Sequence, residues 1–81
     1  MPSNLAAREG TVPGELEIIF PWKPRHFTIT NDSTSGDLKF KFNNSEEWAT
    51  LKPTETVEMD IAHKIILLKG NSIPYRIWGI G

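Results

Sequence analysis

The sequence predicts an all-β fold, a compact antiparallel β-sandwich, Ig-like or jelly-roll-like, of about seven short strands. Three observations carry that prediction. From Phe27 onward apolar and polar residues alternate with the period of two that a half-buried strand requires. Clusters of Asn, Asp, Ser, Gly and Pro cut the chain at the short intervals typical of sandwiches and barrels. Helical patterns of roughly 10–15 residues, which βαβ units need, do not occur between the strands.

Residues 1–15 contain prolines, glycines and small residues without a sustained period, and read as an extended or flexible N-terminal arm. Residues 16–81 read as one β-sandwich domain. Leu16 to Phe20 supplies β-branched and aromatic residues for a first strand, closed by Pro21-Trp22-Lys23-Pro24, whose prolines cannot donate to a central ladder. Phe27 and Ile29 point one way and Thr28 and Thr30 the other, before the turn-rich run Asn31 to Gly36. Leu38, Phe40 and Phe42 alternate with Lys39 and Lys41, so one face is core and the other is wet. Asn43 to Glu47 turns the chain, Trp48 to Leu51 gives a short strand, and Lys52-Pro53-Thr54 turns it again. Val57, Met59 and Ile61 alternate with Thr56, Glu58 and Asp60. Ile65 to Leu68 is apolar on both faces, as suits a central strand covered on both sides. In the last stretch Tyr75 and Ile77 share one face, and Arg76, Trp78 and Ile80 share the other.

Eighty-one residues make one small domain, which at this size buries only roughly 60% of its unfolded surface. Disulfides are excluded because the chain has no cysteine, and no Cys/His cluster offers a structural zinc. Help from neighbouring subunits is therefore expected. A net charge of −1, from nine basic and ten acidic residues well mixed along the chain, argues against a nucleic-acid footprint. The longest apolar run, Ile65 to Leu68, is too short to span a bilayer. No basic leader precedes an apolar core, so synthesis without a secretion signal is expected.

Catalytic signals are weak. Asp60 and His63 have opposite parity on a strand, and solvated turn residues are the simpler reading of both. His26 has no acidic neighbour in sequence and reads as an exposed residue at the start of a strand. The serines at 33, 35, 45 and 72 fall in turns, where their hydroxyls mimic backbone, and none sits in a Gly-x-Ser-x-Gly elbow. Asn31-Asp32-Ser33 and Asn43-Asn44-Ser45 are formal glycan acceptors that read more simply as turns. Trp22, Trp48, Tyr75 and Trp78 offer either a sugar-stacking platform or an interface hot spot, with Trp22 and Trp78 the best contact candidates.

The segments Phe27-Thr28-Ile29-Thr30-Asn31-Asp32, Leu38-Lys39-Phe40-Lys41-Phe42, Leu51-Lys52-Pro53-Thr54-Glu55-Thr56, Ile65-Ile66-Leu67-Leu68-Lys69-Gly70 and Tyr75-Arg76-Ile77-Trp78-Gly79 follow one another. In this order the chain from Phe27 to Gly81 resembles small β-sandwich virion proteins of tailed bacteriophages. The resemblance implies a non-enzymatic structural protein in the virion, assembled in the host cytoplasm. A capsid decoration (cement) protein seated on the major capsid protein is the first expectation, with a small tail or head-tail component the alternative. It implies a homo-oligomer, a trimer by preference, with no cofactor, metal, nucleic acid or membrane partner. On that view the contact residues are Leu5, Val12 and Leu16 of the arm and first strand, together with Trp22, Arg76 and Trp78. Two rivals of other classes are a carbohydrate-binding module using Trp22, Trp48 or Trp78, and a minimal enzyme using Asp60 and His63.

Overall fold

The alternating stretches of the sequence become the strands that enclose the core. The computed structural model describes residues 5–81, in which eight strands and no helix occur. The strands are β1 (Leu5–Val12), β2 (Glu15–Ile19), β3 (His26–Asn31), β4 (Leu38–Phe42), β5 (Ala49–Leu51), β6 (Thr56–Met59), β7 (Ile65–Lys69) and β8 (Ile73–Ile80).

They form two four-stranded antiparallel sheets, ordered β1-β8-β3-β6 (sheet A) and β2-β7-β4-β5 (sheet B). First pairs with last, second with seventh, third with sixth and fourth with fifth. The chain is thus one long antiparallel ribbon rolled so that successive pairs fall in alternate sheets, a jelly roll. This selects the jelly-roll alternative over the Ig-like one.

The inward faces match the alternation. Phe27 and Ile29 of β3, Leu38, Phe40 and Phe42 of β4, Ile66 and Leu68 of β7, and Ile73, Tyr75 and Ile77 of β8 are all buried. Phe20, Phe27 and Phe42 form a chain of tilted rings, with centroids 5.4 and 5.6 Å apart, that fills one end of the space between the sheets. Tilted aromatic contacts of this kind add to the stabilisation from area burial. β7 is central in sheet B, flanked by β2 and β4, but only Ile66 and Leu68 are buried; Ile65 and Leu67 are half-buried on the outer face, so the expected cover on both faces is found on one.

Asn31 closes the other end. Its side chain is fully buried, donates to the carbonyls of Gly36 (2.8 Å) and Leu51 (3.0 Å), and accepts from the Ser33 amide (2.9 Å). The Ser33 hydroxyl in turn accepts the amides of Ser35 and Gly36, as expected of a turn serine. A residue buried this completely is a structural clasp, so the first glycan-acceptor triplet is closed to modification in the folded chain. Thr54, in the turn between β5 and β6, adopts a φ of 67°, a left-handed conformation that costs a β-branched residue energy.

The N-terminal stretch differs from the expected arm. Over Leu5–Val12 it pairs along its whole length with β8, from Leu5 opposite Ile80 to Val12 opposite Ile73. Ala6 and Val12 enter the core. Gly14 (φ 148°) then lets the Pro13-Gly14 corner hand the chain to the other sheet at Glu15. Among the described residues the folded unit therefore starts at Leu5 instead of at residue 16, and Met1 to Asn4 lie outside the described residues.

Candidate interaction face

Three rows of cross-strand neighbours make up most of the outer face of sheet A. Leu5, Ile80 and His26 lie side by side on β1, β8 and β3; next come Ala7, Trp78, Thr28 and Glu58; then Glu9, Arg76, Thr30 and Thr56. Directly opposed residues of antiparallel strands project to the same side about 5 Å apart, so each row is a contiguous strip of surface. The strips divide by chemistry. Leu5 (66% exposed), Trp78 (46%) and Ile80 (38%) form an apolar corner around Ala7 at the β1 edge. Ionic groups border it on two sides.

On one border the Arg76 guanidinium donates from Nε to Asp32 Oδ2 (2.8 Å) and from Nη2 to Asp32 Oδ1 (3.0 Å), a two-point pairing that fixes the guanidinium plane. On the other, His26 Nδ1 lies 2.6 Å from Asp60 Oδ1, and its Nε2 lies 3.7 Å from Glu58 Oε1. The hydrogen bond to Asp60 raises the His26 pKa above its ordinary value; burial opposes the shift, and the charges of Asp60 and Glu58 add to it. This cluster joins the start of β3 to the end of β6, residues 34 apart in sequence.

The expected contact residues thus separate into two groups. Leu5, Arg76 and Trp78 come together on the outer face of sheet A. Val12 is fully buried in the core and is corrected from a contact residue to a packing residue. Leu16 is half-buried and packs against the core, because its position opposite the buried Leu68 turns it inward. Trp22 is also half-buried against the core, with its ring over Gly81. Ile80 and Ala7 were missed as members of the corner; the alternation that exposes Trp78 also exposes Ile80, but Ala7 needs the β1–β8 register.

Asp60 and His63 do not form a pair. Asp60 meets His26, while His63 hydrogen-bonds Asn43 and lays its ring 5.0 Å from that of Phe42. Both histidines lie outside the apolar space between the sheets. Among the described residues no group of three or more His, Cys, Asp or Glu is arranged to hold a metal, and no helix is long and apolar enough to cross a membrane.

The outer face of sheet B carries a different surface. The Lys41 and Lys69 ammonium groups lie 4.9 and 5.6 Å from the Trp48 ring centroid. Beside them an open groove of about 490 Å³ runs between Trp48 and Lys41 on one wall and Glu15 and Glu17 on the other.

No protein-family model matches the chain, and no curated protein matches it in sequence. Solved structures share its fold. A cupin domain of an XRE-family transcriptional regulator from Enterobacter cloacae superposes with a TM-score of 0.58 at 17% identity, over 96% of this chain and 79% of that one. A protein of unknown function from Vibrio parahaemolyticus gives 0.57 at 14% identity, over 95% and 72%. Another of unknown function, from Acinetobacter sp. ADP1, gives 0.59 at 10% identity, over 98% and 69%. At these identities the likeness is one of fold, and the chain has a jelly roll of the kind seen in cupin domains.

Proposed function

We propose that the chain is a non-enzymatic structural protein that acts by seating its sheet A outer face against another protein surface. The observation that carries this reading is the apolar corner of Leu5, Ala7, Trp78 and Ile80, exposed on an otherwise alternating surface and bordered by ordered ion pairs. A solvent-exposed tryptophan among aliphatic neighbours with a polar rim is the composition of an interface hot spot. We propose a virion as the setting, on the resemblance to phage virion proteins, with a capsid decoration protein as its first form and a tail or head-tail component as the alternative. Mass spectrometry of purified source particles tests it: the chain is expected in many copies per particle, and its absence overturns the virion setting.

The sheet B groove favours a second reading, a carbohydrate-binding module, because an indole beside carboxylates and an ammonium group suits a sugar ring. Trp48, whose ring is already approached by two lysines, would be the stacking residue. Glycan titrations followed by tryptophan fluorescence separate the readings: saturable quenching that Trp48→Ala removes supports the module, and a flat response with intact virion incorporation supports the structural protein.

A further inference from the structure

We infer that the edge of β1, unpaired among the described residues, and the apolar corner beside it form a two-fold interface between copies of this chain, through antiparallel pairing of β1 with β1 of a second copy. The inference rests on the reading of sheet A as an interaction face and names the partner.

An unpaired strand edge is a template for another strand, and proteins blunt such edges by shortness, by lysine or proline, or by covering them. Of the four edge strands here, β5, β6 and β2 are 3, 4 and 5 residues long, whereas β1 has eight. β1 contains neither lysine nor proline. Of its two charges, the Arg8 guanidinium lies 5.5 Å from the Phe20 ring centroid, and Glu9 sits directly across from Arg76 of β8. The long unguarded edge and the exposed apolar corner are the same part of the molecule, because Leu5 and Ala7 belong to β1 and Ile80 and Trp78 oppose them on β8.

Symmetry then narrows the register. Directly opposed residues of an antiparallel pair project to the same side, so a two-fold pairing must be centred on a residue and its own copy. Centring on Arg8 or Glu9 opposes like charges, which is destabilising. Centring on Gly10 separates the two corners. Centring on Ala7 avoids both: it sets Leu5 opposite Glu9 of the second copy and places the two Trp78 side chains on strands flanking the axis. The product is a continuous eight-stranded sheet with one apolar strip across its middle. A two-fold pair of this kind replaces the trimer as the building unit.

Sedimentation velocity of the full chain across a concentration series is expected to show a reversible monomer–dimer equilibrium, weakened about tenfold or more by Trp78→Lys or Leu5→Lys, as for a truncated hot spot. Ile19→Lys, at an exposed apolar position on sheet B (54%), leaves it unchanged. The chain has no cysteine, so Ala7→Cys is expected to give a disulfide-linked dimer under mild oxidation while Ile19→Cys does not. Circular dichroism confirms that each variant is folded, and Leu5→Lys serves if Trp78→Lys is not. A wild-type chain that stays monomeric throughout, or cross-linking as efficient at position 19 as at position 7, overturns the inference. A monomer that is nonetheless abundant in source particles leaves the structural reading standing with another partner; a dimer absent from them does the reverse.

Discussion

His26 Nδ1 and Asp60 Oδ1 are 2.6 Å apart, and this contact ties the start of β3 to the end of β6 across the rim of the apolar corner. The carboxylate favours the protonated imidazole, so the His26 pKa is raised above 6.5 in the folded chain. A raised folded-state pKa stabilises the fold fully below the unfolded value, and that contribution disappears as pH rises through the folded value. NMR titration of the imidazole is expected to give a midpoint above 6.5. Asp60→Asn, which removes the largest cause of the shift, moves the midpoint down.

Residues 5–12 are a structural strand, and their removal tests that directly. Deleting residues 1–12 strips Ala6 and Val12 from the core and uncovers one side of β8. The truncated chain is expected to lose cooperative thermal unfolding by circular dichroism. Unchanged unfolding would mean that β1 is an appended arm.

Asn31→Ala leaves the Leu51 and Gly36 carbonyls and the Ser33 amide without their side-chain partner in a buried site. Each orphaned buried group costs about 1–3 kcal/mol. Urea denaturation is expected to show a loss of at least about 2 kcal/mol, while Thr34→Ala on the exposed surface nearby stays within about 0.5 kcal/mol of the wild type.

Thr54 holds a φ of 67° in an exposed turn. Glycine adopts that conformation without the Cβ conflict that costs other residues roughly 1–2 kcal/mol, although it gives back part of the gain through the more flexible unfolded chain. Thr54→Gly is therefore expected to raise the urea midpoint slightly, without changing the slope of the transition. A lowered midpoint would mean that the threonine side chain makes a compensating contact.

The strands that the sequence revealed are those whose alternation involves large side chains. Leu38-Lys39-Phe40-Lys41-Phe42 and Tyr75-Arg76-Ile77-Trp78 can be assigned to faces by period alone, and their burial follows it. β1 escaped because Leu5-Ala6-Ala7-Arg8-Glu9-Gly10 is poor in β-formers, and only Ala6 and Val12 are buried along it. Its strand state is imposed by β8, at the far end of the chain, and not by local preference. The same non-locality hid the His26–Asp60 contact. Trp78 and Arg76 were legible as surface residues by parity, but the corner they border emerges only when β1 supplies Leu5 and Ala7.

On the proposal above, the β1 edge and its apolar corner are the surface through which this jelly roll meets a second copy. Hydrogen exchange of the β1 amides, measured residue by residue at low and high chain concentration, tests it most directly. Amides between Leu5 and Glu9 are expected to become more protected as concentration rises, while those of β2, β5 and β6 are not. Concentration-independent exchange throughout β1, or protection confined to sheet B, would contradict it.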